Sequence, residues 1–157
     1  MKQKIFVNVG STYSFDRLIK KMDTLGKYSK YSIFLQIGKT EYQPKNCKYS
    51  NFLNNSEFEK MIDWADIVVS HAGVGSIIEI VKHKKNILLF PRLKKFGEAV
   101  DDHQLEICKA FKDKYKIQWT VDANNIEKLL SCSTSIKLKN KNKLANEVKK
   151  ILNETEK

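Results

Sequence analysis

The chain has 157 residues, 41% of them hydrophobic and 30% charged, enough for one domain with a real core and too apolar for a disordered tail. Its formal net charge of +11 invites a nucleic-acid partner, but the surplus is spread as +4, +3 and +4 over residues 1–70, 71–135 and 136–157. Only Arg17 and Arg92 among the 29 basic residues are arginines, the better bidentate readers of phosphate, so a lysine-rich solvated surface is the expected account and no nucleic-acid partner is expected. Attraction to an anionic membrane face is the second account.

The first segment, Met1 to Val9, reads as a strand rather than a signal peptide, and no apolar run reaches the roughly 20 residues of a spanning helix. The expected location is therefore the cytoplasm. Gly10 closes this strand, and Ser14 is placed to cap a helix with Phe15, Leu18, Ile19, Met22 and Leu25 on one face. Ser32 to Ile37 reads as the second strand and Lys48 to Phe52 as a weaker third. Glu57 to Trp64 reads as a short helix, and Asp66 to Ser70 as a strand buried on both faces.

A glycine-containing turn at Gly73 and Gly75 leads into a helix through Val81, followed by a buried strand at Asn86 to Phe90 and a loop from Arg92 to Val100. Asp101 to Lys114 reads as a helix, Ile117 to Val121 as the last strand and Asn124 to Leu130 as a short helix. The Ser/Thr cluster Ser131 to Ser135 separates a main domain, 1–135, from a tail, 136–157. Leu144, Val148, Ile151 and Leu152 give that tail an amphipathic helical face, to pack on the same domain or on a partner. Strands alternating with helices predict an α/β fold, a Rossmann-like parallel sheet with helices on both faces. Cys47, Cys108 and Cys132 form neither a CxxC pair nor a zinc pattern, so no metal and no disulfide framework are expected.

In such sheets ligands sit beyond the carboxyl ends of the strands. Two glycine-bearing turns lie there, Val9-Gly10-Ser11-Thr12 and Ser70-His71-Ala72-Gly73-Val74-Gly75-Ser76. Glycines let the backbone approach a phosphate, and the following helix offers free N–H groups and a positive dipole end. Glu79, one turn further on, would repel phosphate but suits the two hydroxyls of a ribose. The combination points to a nucleotide. It is neither a dinucleotide fingerprint nor a Walker A loop. A tight turn with a satisfied structural histidine is the alternative for His71.

The motif His71-x-Gly73-x-Gly75-Ser76-x-x-Glu79 resembles the nucleotide-binding motif in the C-terminal half of GT-B glycosyltransferases, family 28 in particular. Phe90-Pro91-Arg92 through Asp101-Asp102-His103-Gln104 resembles its small single-domain members. These include bacterial capsular and exopolysaccharide enhancer subunits and the eukaryotic subunit making the second N-acetylglucosamine linkage of the lipid-linked oligosaccharide. Val9-Gly10-Ser11-Thr12 and Gln36-Ile37-Gly38-Lys39 match the same group.

The resemblance implies that His71, Gly73, Gly75 and Ser76 hold the diphosphate of a UDP-sugar and Glu79 its ribose. Gly10, Ser11 and Thr12 would cover the phosphates, and Phe52 and Leu53 would lie near the uracil. Gln104, with Asp102 or His103, would contact the transferred sugar. Many relatives carry an acidic residue where His103 stands, which leaves the sugar open. Asp101 suits a helix cap better than a ligand role.

The family places its acceptor site and general base in another domain. No catalytic base is therefore assigned within this chain, and a membrane-anchored, acceptor-binding partner subunit is implied, recruiting the chain to the cytoplasmic face of the membrane. The Arg92 to Val100 loop, with Leu93 and Phe96 as apolar anchors, is the expected contact with that partner. The implied reaction is sugar transfer from UDP to a lipid-linked saccharide, with the UDP-sugar as substrate, no cofactor and no metal. A non-catalytic scaffold that stabilises its glycosyltransferase partner is the rival reading.

Overall fold

The structure, a computed structural model, describes residues 1–132 and 141–155. Six parallel strands, β1 (Gln3–Asn8), β2 (Tyr31–Gln36), β3 (Lys48–Ser50), β4 (Ile67–Ser70), β5 (Asn86–Leu89) and β6 (Gln118–Trp119), form one sheet in the order β3-β2-β1-β4-β5-β6. All five pairings are parallel, which requires crossover connections between successive strands. Helices α1 (Asp16–Leu25), α2 (Asn55–Trp64), α3 (Val74–Lys82) and α4 (His103–Tyr115) lie in four of them, the connection from β2 to β3 (37–47) has no helix, and α5 (Ile126–Ser131) and α6 (Lys141–Thr155) follow β6.

The two faces follow the period of two. Ile5, Val7, Ile67 and Val69 point into one apolar cluster with Leu18, Ile19 and Met22 of α1. Phe6, Val68 and Leu89 point into the other with residues of α2, α3 and α4, where Phe6 meets Phe58 edge-on with ring centroids 5.5 Å apart. Both faces are covered, so the central strands read as unbroken apolar runs.

Val148 and Ile151 of α6 are buried in that second cluster. Leu144 and Leu152, the other two members of the expected tail stripe, lie outside the described side chains, as does the boundary expected at 135/136. No described helix is long and apolar enough to cross a membrane.

Four helix starts differ from the sequence reading, that of α5 among them, which begins at Ile126 rather than Asn124 after a 3₁₀ turn at Ala123–Asn125. Ser14 does not cap α1; the N-cap position is Phe15, whose N–H donates to Thr40 Oγ1 at 3.0 Å, while the Ser14 carbonyl accepts from Arg92. Asn54 starts α2 two residues earlier than expected through a capping box with Glu57. Helix α4 begins at His103, with the Asp101 carboxylate accepting its N–H at 3.1 Å.

Candidate functional site

The strand order reverses between β1 and β4, and this is where a Rossmann-like sheet opens a crevice at its carboxyl end. A cavity of about 220 Å³ lies there, lined by Ser11, Thr12, Tyr13, His71, Arg92, Asp101, His103 and Gln104 among others. Ser11, Thr12, His71, His103 and Gln104 are thus brought together as expected. Asp102 is not: its Oδ1 accepts the Lys94 N–H at 2.9 Å, and it faces a neighbouring cavity with Leu93 and Trp119.

His71 is buried under the two glycine turns. A Cβ on Gly10 would come within 2.7 Å of its Nε2, and one on Gly73 within 2.1 Å of its Cε1. Gly10 also takes a positive φ of 71°. These two glycines therefore make room for an imidazole. Gly75 is different: a Cβ there meets nothing within 4 Å, so the first turn of α3 is open to a ligand.

Hydrogen bonds fix the state of His71. Gln104 Oε1 accepts from the N–H groups of Ala72 (3.1 Å) and Arg92 (3.0 Å), which turns its Nε2 toward His71 Nδ1 at 3.3 Å. Nδ1 therefore accepts, the ring proton sits on Nε2, and Nε2 faces Ser76 Oγ at 3.4 Å. Ser76 Oγ in turn accepts from Asn8 Nδ2 at 2.8 Å, and Asn8 Oδ1 accepts from Gln36 and from the Gly10 N–H. Burial, with the Arg92 guanidinium nearby, pushes the imidazole down to about 3.

A pH dependence follows. The unfolded chain protonates His71 near pH 6.5, whereas the folded chain does so only near 3. The unfolded state therefore binds the extra proton within that window, and stability falls with acidification by about 1.4 kcal/mol per pH unit from this group. Above pH 6.5 the group contributes no slope. Ring-nitrogen NMR at pH 5 is expected to show His71 neutral with its proton on Nε2; a titration midpoint above pH 6 would contradict the network.

The two arginines carry a part of the site that the motif reading missed. Arg92 is buried and donates to the carbonyls of Val9, Ser14 and Glu98. Arg17 grips the Glu98 carboxylate through both Nε (3.1 Å) and Nη2 (2.9 Å) and lies over Phe90 and Phe96. Glu98 Oε1 also accepts the Leu93 N–H at 3.0 Å. The Arg92 to Val100 segment is thereby pinned to the domain, with one 3₁₀ turn at Lys94–Phe96. Leu93 is 6% exposed and cannot serve as an outward anchor; Phe96, at 53%, is exposed.

Glu79, Phe52 and Leu53 do not line this cavity. Glu79 is half-buried, one turn along α3, and pairs with Lys82 at 3.2 Å. Phe52 is exposed after β3, while Leu53 packs on the same cluster as Val74 and Ile78 of α3. Among the described residues, Glu59, Glu79 and His83 bring three potential metal-ligand atoms within 4.8 Å of one another, although Glu79 already pairs with Lys82 and His83 with Asp63 at 2.7 Å.

The glycosyltransferase family 28 C-terminal domain matches residues 4–156, almost the entire chain. The chain belongs to that family. Human UDP-N-acetylglucosamine transferase subunit ALG13 is 32% identical over 119 residues, which cover 67% of this chain and 10% of the human protein. The Candida albicans subunit of the same name is 27% identical over 113 residues, 63% of this chain and 37% of that protein. This family 28 domain thus matches about a third or less of the length of those relatives.

The same architecture recurs in the NMR structure of ALG13 (TM-score 0.64, 15% identity, 94% of this chain and 95% of that one). It recurs in Acinetobacter baumannii MurG (0.59, 20%, 96% and 45%) and in the glycosyltransferase SnogD from Streptomyces nogalater (0.57, 13%, 99% and 40%). Its fold is therefore the Rossmann-like half of a GT-B glycosyltransferase.

Proposed function

We propose that this family 28 domain binds a UDP-sugar and acts as the donor-binding subunit of a two-component glycosyltransferase, passing the sugar to a lipid-linked saccharide. The carrying observation is the crevice at the strand-order reversal, where the unobstructed first turn of α3 at Gly75 adjoins the cavity of Ser11, Thr12 and Gln104. The diphosphate sits on the α3 N-terminus, where free N–H groups and the dipole offset the charge that develops on the leaving UDP. Such stabilisation requires no metal and no cofactor.

His71 supports this cradle as a neutral, proton-fixed ring between Gln104 and Ser76, orienting both side chains. Gln104 keeps one Nε2 hydrogen for the sugar, with His103 beside it. Asp102 is left out of this role because its carboxylate holds Lys94. The ribose lies at Glu79, and the uracil lies toward Phe52 and Leu53, a placement supported by the shared packing of Leu53 and α3. The acceptor-binding partner is membrane-associated and draws this chain to the cytoplasmic face; that the ALG13 relatives are transferase subunits supports a partner.

Glu79→Ala is expected to weaken UDP binding by roughly 10- to 150-fold, the loss of about 1.5–3 kcal/mol of charge-assisted hydrogen bonding, with the fold retained. Titration calorimetry decides it. Unchanged affinity in the folded variant removes Glu79 from the site, and no UDP binding by the parent chain favours the scaffold reading.

A further inference from the structure

A cavity of about 670 Å³ lies at the opposite, amino-terminal end of the sheet. Its origin is traceable. Strand β3 pairs only with Phe34–Gln36, so Tyr31–Ile33 of β2 have no strand on their outer side among the described residues. The chain leading into β3 is drawn off the strand line by buried Asp23, whose carboxylate accepts the N–H groups of Lys45 and Asn46 and the hydroxyl of Tyr42. The gap between this segment and α2 is the cavity.

Its walls combine two chemistries. Phe34, Met61 and Trp64 supply apolar surface, while Lys2, Lys48 and Lys60 supply positive charge, and no acidic residue lines it. None of these three ammonium groups has a carboxylate within ion-pair distance among the described residues. Lysines alone would guard an open strand edge against self-pairing. A guard does not need the aromatic-walled cavity behind them.

We propose that this cavity binds an extended, acidic segment of a partner protein, added to the sheet beside Tyr31–Ile33 on the line of β3. The segment's backbone would pair with the open edge of β2 at Ile33, and the side chains of its α2-facing side would place an apolar group between Met61 and Trp64 and flanking carboxylates on Lys2, Lys48 and Lys60, which share that face. A small anion such as phosphate would satisfy the lysines but leave the backbone edge unused, which is why a peptide is favoured. The site stands at the far end of the sheet from the nucleotide crevice and does not rest on the nucleotide reading.

The probe is a fluorescein-labelled eight-residue peptide, Glu-Thr-Val-Thr-Glu-Thr-Glu-Thr, whose valine and glutamates share one face of an extended strand, followed by anisotropy. Saturable binding is expected, weakened at least tenfold by the double substitution Lys48→Glu and Lys60→Glu. Both lysines are exposed, and thermal melts of the variant check that the fold is kept. The same peptide N-methylated at alternate backbone nitrogens is expected to lose binding, and its analogue with lysine in place of each glutamate to show none. No saturable binding of the acidic peptide overturns the proposal. So does equal binding of its N-methylated form, which would reduce the site to charge alone. Binding of 30% phosphatidylserine vesicles that the peptide does not compete away, lost in the same double variant, would assign the surface to a membrane instead.

Discussion

Gly75→Val is expected to abolish measurable UDP binding with little change in melting temperature, while Gly73→Ala is expected to lower stability first. The two glycines stand two residues apart and have different surroundings. A side chain at Gly75 enters open space at the start of α3, and valine has better helix propensity than glycine, so the fold has no reason to lose stability. What valine obstructs is the close approach of a diphosphate to the free N–H groups, for which a loss of at least about 100-fold is expected. At Gly73 the added methyl would stand 2.1 Å from His71 Cε1, and the ring has no retreat because Gly10 closes its other side. Moving it breaks the Gln104–His71–Ser76 chain. Overpacking of this kind costs about 1–3 kcal/mol, at roughly 2–4 °C per kcal/mol for a chain of this size. Melts with and without UDP separate the cases. A UDP-induced shift retained in Gly75→Val would show that the α3 N-terminus is not the phosphate cradle, and an unchanged melt of Gly73→Ala would show that His71 is not held as described.

The strands were readable because a sheet covered on both faces must be apolar at consecutive positions, as Ile67-Val68-Val69 is. The edges were less so: β3 and β6 have three and two residues and few buried neighbours to impose a pattern. The start of α1 was misread because its cap is supplied across the fold by Thr40, a contact that local spacing does not encode. In the site, His71, Ser76 and Gln104 were legible through their motifs, yet their mutual bonding was not, since 28 residues separate Ser76 from Gln104.

Asn8 was passed over as part of a strand, although one buried amide in an apolar run signals a polar network. The arginines carried a similar signal. In a chain whose other basic residues are all lysines, Arg17 and Arg92 stand where a planar, multiply donating fork is required. Their grip on Glu98 turns the Arg92 to Val100 segment from a free loop into a fixed wall of the cavity at the carboxyl end of the sheet. It also leaves Phe96, stacked on Arg17, exposed along with Val100 at the end of that segment.

Assayed without a partner, the chain is expected to bind UDP and to transfer no sugar to a lipid-linked acceptor. The cavity at the carboxyl end is about 220 Å³, small for a complete nucleotide sugar, so a donor bound as proposed would extend over the open surface of α3. The imidazole nearest the cradle is neutral and engaged at Nδ1 by Gln104, and its Nε2 proton faces Ser76, so it is not free to act as general base. The matched GT-B structures extend well beyond the matched half, since this chain covers 45% of MurG and 40% of SnogD. An acceptor surface facing the crevice from a second subunit would supply the base and exclude water. Co-expression with a membrane-associated partner is therefore expected to raise transfer from background to turnover and to move the protein into the membrane fraction. Phe96→Asp is expected to weaken co-purification with that partner while UDP affinity stays within about twofold, because Phe96 lies outside the cavity lining. Sustained transfer by the partner-free chain would overturn the half-enzyme reading, and co-purification unaffected by Phe96→Asp would place the partner contact elsewhere on the domain.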